Sequence, residues 1–446
     1  MTATGSATNH GIDDRALRVV LDARPLQAPT RNPTTAAYLD RLLQAFAGHD
    51  VDGGGSRSLA DGDSFLFLLD TPGPDPSARY PGLPFAGRRR LPRTRRLRAA
   101  TLTLDPFLLR AVSIGTTFGA ARGSGDVRGV LHVTGGTLPI ASGLPMVVTL
   151  LDLAAWELPS VYQRGVAERF GQRLRVRLLR QAERLIVASE ATARAASGFL
   201  RFPRDRVHVV PLAPTLRVVA GETPDAMDRF AALRERLGVP ERYLLYRAQY
   251  DARKDVPTLL RAIARSRVNA SPARGLGTDA PPPAPPDVLM IVPRVDAGEE
   301  DREHASDAEA LDRLVRSHGI EDRVRVLPLL SPDEEAAVLS GARALLHPVL
   351  VEGSGLPLLD ALAAGVPVVA TNVGAVAELV GKAGILVPPR DADRLAAGLA
   401  TIWSNDRVHG RLARAAAASP AGRRTWSDVA RETRAVYALA ARRAPA

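Results

Sequence analysis

The 446-residue chain contains no cysteine. That excludes a disulfide framework, a thiolate metal site and a cysteine nucleophile. Lysine is almost missing too: Lys254 and Lys382 are the only two. Arginine therefore carries the basic charge. A lysine kept against that background points to a task that suits a compact ammonium with three rotatable donors. No uncharged apolar run reaches the roughly 18 residues that a membrane-spanning helix needs. The opening stretch MTATGSATNHGIDD has no apolar segment of the signal-peptide kind. The expectation is a cytoplasmic protein, soluble or peripheral on the inner face of the membrane.

Apolar residues make up 46 % of the chain, enough for two cores at this length. The net charge of +11 favours anionic partners. Apolar runs at 17–26, 63–70, 128–134, 145–153, 184–190 and 206–214 read as strands, with helical spacing at 33–48 and 163–184. The pattern restarts at 242–250 and continues through 287–294, 323–330, 343–350 and 366–371, with helical segments at 256–266, 306–318 and 332–342. Alternating strands and helices predict parallel sheets covered on both faces. The predicted division is a tail at 1–15, a first Rossmann-like domain at 16–215 and a linker at 216–240. A second domain follows at 241–424, with a Pro-rich insertion at 269–286, and a helix at 425–446 returns to the first domain.

The stretch HPVLVEGSGLPLLDALAAGVPVV, 347–369, carries the most chemistry. Pro357 suits the first position of a helix and Gly365 its stop, so a short helix is expected over 357–364. Its free N–H groups, behind the Gly353-Ser354-Gly355 turn, make an anion site at a strand's carboxyl end. Glu352 and Asp360 flank it. They repel phosphate and can accept hydrogen bonds from hydroxyls. Phosphate beside hydroxyls reads as a nucleotide sugar. A plain strand–helix connection with two solvated acids is the alternative that this pattern alone leaves open.

Residues 351–391, VEGSGLPLLDALAAGVPVVATNVGAVAELVGKAGILVPPRD, resemble the signature of glycosyltransferase family 4. The likeness extends to YLLYRAQYDARKDVPTLLRAIA (243–264), MVVTLLDLAAWELPSVY (146–162), ERLIVASEATARAASGFL (183–200), VHVVPLAP (207–214), LDARPL (21–26) and TWSDVARETRAVYALA (425–440). The resemblance implies the GT-B fold, two Rossmann-like domains facing across a cleft. It implies a retaining hexosyltransferase that needs no metal and no cofactor beyond the nucleotide-sugar donor. Carried over by position, Glu352 and Lys254 are the catalytic pair. Glu352 meets the donor sugar and the positive charge developing at its anomeric carbon. The N–H groups of Ser354, Gly355 and Leu356 hold the distal phosphate, and Gly353 opens the turn. Lys254 with Arg253 neutralises the diphosphate, Asp360 takes the ribose, and Leu329 and Leu330 line the base pocket.

The chain departs from that family at four places. Leu151 stands where the family has histidine, and NPTTAAY (32–38) replaces a glycine-rich loop. Ala248-Gln249 and Pro293-Arg294 replace glycines. Asp360 is one methylene shorter than the family's glutamate. His132, Thr149 and Asp152 are therefore candidates for the acceptor side. A non-catalytic partner or sugar-nucleotide binding protein is the other expectation.

The densest basic run is RRRLPRTRRLR, 88–98. It has no interleaved aromatic residue, which speaks against single-stranded nucleic acid. No helix-turn-helix or zinc pattern occurs, so no nucleic-acid partner is expected. An anionic membrane surface, or a lipid-linked acceptor, fits Arg88–Arg98 better.

Overall fold

The run LRVVLD at Leu17–Asp22 is buried along nearly its whole length, as a strand in the middle of a covered sheet must be. The computed structural model describes residues 15–29, 32–49, 58–91, 127–134, 138–139, 142–216, 224–248, 251–268, 286–291, 302–328 and 330–442. The first sheet comprises β1 (Leu17–Asp22), β2 (Ser64–Asp70), β3 (Phe85–Leu91), β4 (Arg128–Thr134), β5 (Met146–Leu150), β6 (Arg184–Val187) and β7 (Val207–Val209). Their spatial order is β3-β2-β1-β4-β5-β6-β7, and every pairing is parallel. The second sheet holds β8 (Leu244–Arg247), β9 (Val288–Ile291), β10 (Val324–Val326), β11 (Ala344–His347), β12 (Val368–Thr371) and β13 (Gly384–Val387). Its order is β10-β9-β8-β11-β12-β13, again all parallel. Each sheet reverses its winding beside its first strand, between β1 and β4 and between β8 and β11. In such sheets ligands bind in the crevice outside that reversal.

The helices of the first half are α1 (Pro33–Phe46), the single turns α2 (Ala154–Glu157) and α3 (Pro159–Tyr162), α4 (Val166–Leu179) and α5 (Glu190–Phe199). The second half has α6 (Pro224–Leu237), α7 (Val256–Val268), α8 (Arg302–Ser317), α9 (Pro332–Ser340) and α10 (Leu356–Ala363). It continues with α11 (Val376–Val380), α12 (Ala392–Ser404), α13 (Asp406–Ala417) and α14 (Trp426–Ala441). Local chemistry sets many of the ends. Ser331 and Glu334 form a capping box on α9, Thr425 and Asp428 one on α14, and Asp391 caps α12.

Helix α14 lies on the first sheet although it ends the chain. Trp426 packs on Tyr38 with ring centroids 6.1 Å apart, and its indole N–H donates to the Pro214 carbonyl at 2.7 Å. Arg434 donates to Asp63 at 2.7 Å, and both side chains are buried.

Two regions differ from the sequence reading. The expected linker at 216–240 contains the helix α6. Its PDAMDRFAALRERL stretch begins with proline and is followed by Gly238 at φ +60, a start and a stop in the right order. The Gly and Thr just ahead of Pro224 concealed it. Residues 85–91, whose last four were read only as part of the basic run at 88–98, form the edge strand β3. Arginines at an exposed edge suit solvent on one side of a strand. Residues 1–14 and 269–285, expected as tail and insertion, lie outside the described residues, as do 92–98 of the basic run.

Candidate functional site

Helix α10 starts at Leu356 with Gly355 as its cap, in the left-handed conformation at φ +66, and Pro357 in the second position. A side chain at 355 would be strained at that φ and would also run into Leu379. Gly365, at φ +69, follows the helix. The turn ahead of α10 meets the first half directly. A Cβ at Gly353 would collide with the Leu151 carbonyl oxygen and sit 2.8 Å from the Asp152 Cα. Glycine at 353 is therefore what lets the two halves touch here.

Glu352 is buried, and its two oxygens are shared out. Oε1 accepts from the Gly355 N–H at 2.9 Å and from the Ser354 hydroxyl at 3.1 Å. Oε2 lies 3.2 Å from the Lys254 ammonium and 2.9 Å from His347 Nε2. Burial alone would raise the pKa of the carboxyl. The Lys254 charge and the hydrogen bonds from His347 and Gly355 outweigh it and hold Glu352 well below the usual carboxylate range. His347 is itself buried, and burial lowers its pKa, so its ring is neutral. Its neighbour is an ionised carboxylate, which only accepts, so the ring proton must sit on Nε2. The N–H groups of Ser354 and Leu356 have no acceptor among the described residues. They remain free to meet an anion.

Lys254 ends a short 3-10 turn, Ala252–Lys254, which Asp251 caps by accepting from the Arg253 N–H. Asp255 follows at φ +42, a left-handed conformation that aspartate tolerates better than most residues. The sharp turn points Lys254 at Glu352. The two residues expected as the catalytic pair, distant in sequence, thus meet.

Arg253 does not face free space. Its guanidinium donates to Asp152 of the first half at 2.5 Å and to Asp251 at 3.0 Å. Burial disfavours its charge, but Asp152 and Asp251 outweigh that and raise its pKa. Asp152, expected on the acceptor side, is therefore the partner of Arg253 across the cleft. Tyr162 adds a second bridge, donating to Asp251 at 3.2 Å.

The ribose role expected of Asp360 does not fit its surroundings. The side chain is fully buried and accepts from the Thr215 N–H at 2.5 Å, the Leu216 N–H at 3.0 Å, the Thr215 hydroxyl at 2.9 Å and Arg247 at 2.7 Å. Four hydrogen bonds fill a carboxylate. A ribose could reach it only if Thr215 or Arg247 moved. Asp360 instead ties the chain segment leaving the first half to the second. Arg247 also pairs with Glu335, and these two carboxylates raise its pKa against the effect of burial. Sequence reasoning passed over Arg247, although a charge at the end of an apolar strand was a signal.

His132 and Thr149 do not line the cleft. Both are buried, and His132 Nε2 lies 2.9 Å from Thr149 Oγ1. Its Nδ1 is 2.8 Å from the Tyr437 hydroxyl of α14, and Thr149 is also 3.2 Å from the Tyr38 hydroxyl. The ring is satisfied on both sides, and desolvation lowers its pKa to about 3. Leu151, at the place of the family's histidine, joins the apolar cluster containing Leu356, Leu359 and Trp426. That packing accounts for an apolar residue there. Leu330 is buried in the second half; Leu329 lies outside the described residues.

Of the arginines expected at a membrane, Arg88 pairs with Asp75, and Arg90 donates to the Thr71 and Gly73 carbonyls at 2.9 and 3.0 Å. Arg95, Arg96 and Arg98 lie outside the described residues. Among the described residues no three His, Asp or Glu side chains converge to hold a metal ion. None of the described helices is long and apolar enough to cross a membrane.

Comparison with known proteins bears on this geometry. Residues 287–405, the part holding α10 and its turn, match the family model described as Glycosyl transferases group 1. The chain is 29 % identical over 364 residues to an MMP alpha-(1->4)-mannosyltransferase of Mycolicibacterium hassiacum, covering 76 % of each. It is 31 % identical over 274 residues to a D-inositol 3-phosphate glycosyltransferase of Xylanimonas cellulosilytica, covering 59 % of this chain and 60 % of the relative. Among solved structures it superposes on Anabaena HepE in complex with UDP-glucose. The TM-score is 0.62, the identity 16 %, and 95 % of this chain and 99 % of that one are covered. A sucrose-phosphate synthase from Thermosynechococcus elongatus gives a TM-score of 0.60 at 17 % identity, with 96 % of each chain covered. The architecture is the GT-B fold.

Proposed function

We propose that this enzyme, a glycosyltransferase, moves a hexose from a nucleotide-diphosphate sugar to a glycan or lipid-linked acceptor, with retention of configuration and without a metal. One observation carries the reading. Glu352, Lys254 and the unpartnered amides of Ser354 and Leu356 meet at one point, where the second sheet's strands end.

Each part has a task in the reaction. The diphosphate leaves with negative charge, and the free amides of Ser354 and Leu356 together with the start of α10 offset it. Lys254 sits on a long flexible stem, 3.2 Å from Glu352. It can pivot from the carboxylate to the departing phosphate. Glu352 stays ionised because of its neighbours and faces the positive charge that grows at the anomeric carbon. His347 holds that carboxylate in place. Cationic side chains and amides in these positions do what a divalent ion would otherwise do. Closure of the halves across Arg253–Asp152 excludes water, so that the sugar passes to the acceptor and is not hydrolysed.

The relatives' names point to mannose and inositol phosphate, and HepE was solved with UDP-glucose. A panel of UDP-, GDP- and ADP-sugars, with mass spectrometry of the released nucleoside diphosphate, tests the reading. Release from at least one donor, lost in Glu352→Gln, is expected. No release and no binding for any donor would make the chain a non-catalytic partner instead.

A further inference from the structure

The outer face of α4 has an unusual composition. Val166 is 76 % exposed and Phe170 is 66 % exposed. Arg169, Arg173 and Arg177 are exposed on the same helix. Positions 166, 169, 170, 173 and 177 fall on one side of an α-helix. The opposite side packs inward through Leu178 and Leu179, and Arg175 stacks on Trp156 at 5.2 Å. The one acid of the helix, Glu168, turns back to accept from the Gly165 N–H at 2.7 Å. Among the described residues no carboxylate pairs with Arg169, Arg173 or Arg177. Two large apolar side chains thus stand in water within a field of unpaired positive charge.

We propose that this face of α4 is a docking surface for an anionic lipid membrane, in which Val166 and Phe170 enter the headgroup boundary and the three arginines meet lipid phosphates. The charge decides the occupant. A second copy of this chain would bring the same three arginines against themselves. A nucleic acid would leave an aliphatic valine without a purpose. An anionic bilayer satisfies both components, as interfacial amphipathic helices do. The described part of β3 is a poorer candidate, because Arg88 and Arg90 are already engaged within the chain.

Position strengthens the assignment. Helix α4 begins just after α3, and Tyr162 at the end of α3 bonds Asp251 across the cleft. The apolar tip of α4 therefore stands beside the cleft rim, and its other end is fixed by Arg180, which donates to the Leu200 carbonyl at 2.8 Å. A membrane held there would offer a lipid-linked acceptor to the mouth of the site. That last step rests on the transferase reading; the docking surface does not.

Vesicle flotation tests the surface without a donor. Wild-type protein should bind vesicles with about 30 % phosphatidylglycerol, not pure phosphatidylcholine, and about 0.5 M salt should release it. Val166→Ser with Phe170→Ser should weaken binding about tenfold or more. Arg169→Ser, Arg173→Ser and Arg177→Ser together should weaken it about a hundredfold. Arg89→Ser should change nothing, and nucleotide release in solution should be unaltered by all of these. Phe170→Trp should show a blue shift of emission on anionic vesicles beyond that of wild type. The proposal is overturned if wild type does not float with anionic vesicles, if the α4 variants float as well as wild type, if Phe170→Trp shows no shift, or if Phe170→Ser only turns a dimer into a monomer.

Discussion

Each half of the molecule buries a histidine on a central strand, and the two have opposite surroundings. His347 ends β11 beside a charged pair, Glu352 and Lys254, at the mouth between the sheets. His132 sits within β4 under α14, among the neutral hydroxyls of Thr149 and Tyr437. Both rings are uncharged. One steadies a carboxylate that chemistry can use; the other closes a core. A residue type at a strand end thus says little until its partners are known. The second half sets its histidine against a charged pair, whereas in the first half Asp152 and Tyr162 reach the cleft and His132 is closed in by neutral hydroxyls.

The contrast can be broken by experiment, beginning with its largest expected effect. Glu352→Gln keeps the shape and removes the charge, and turnover should fall by about 10²–10³ while the fold is kept. His132→Gln should leave turnover within a few-fold of wild type. Equal losses in the two variants would erase the distinction between the rings.

The next effect is on stability. Asp360→Ala strips Arg247 of one of its two carboxylates and frees Thr215 and Leu216, so it should cost about 3–5 kcal/mol in denaturant unfolding. A loss below about 1 kcal/mol would mean that the segment joining the halves does not depend on Asp360.

A pH series sharpens the account of His132. Its folded pKa of about 3 lies below the ordinary value of 6.5. Between those values the unfolded chain binds a proton that the folded chain refuses, so stability rises with pH. The contribution is complete above about 6.5 and is lost as pH falls toward about 3. His132→Gln should flatten the slope of stability by about 1.4 kcal/mol per pH unit in that window. The smallest effect is expected at the bridge across the cleft. Asp152→Asn should change stability by no more than about 1 kcal/mol, because that pair is partly exposed.

The parallel two-sheet fold was legible because buried strands read as continuous apolar runs separated by helical spacing. So was the short helix after Gly355, which proline and glycine mark at both ends. The meeting of Lys254 with Glu352 was foreshadowed by the scarcity of lysine and by resemblance. Other features escaped for physical reasons. Asp360 looked free because its partners, Thr215 and Arg247, are far away in sequence. The partner of His132 is Tyr437 in the last helix, which no local pattern reveals. Helix α6 hid behind turn-forming residues, and the face of α4 escaped because the helical spacing at 163–184 does not say which side is covered.

The central claim is that Lys254 and the turn before α10 hold a nucleoside diphosphate. Calorimetric titration of UDP and GDP into wild type and Lys254→Met tests it most directly. Binding of at least one of them to wild type, weakened about tenfold or more in the variant, is the expected result. Equal affinity in the two proteins would contradict it.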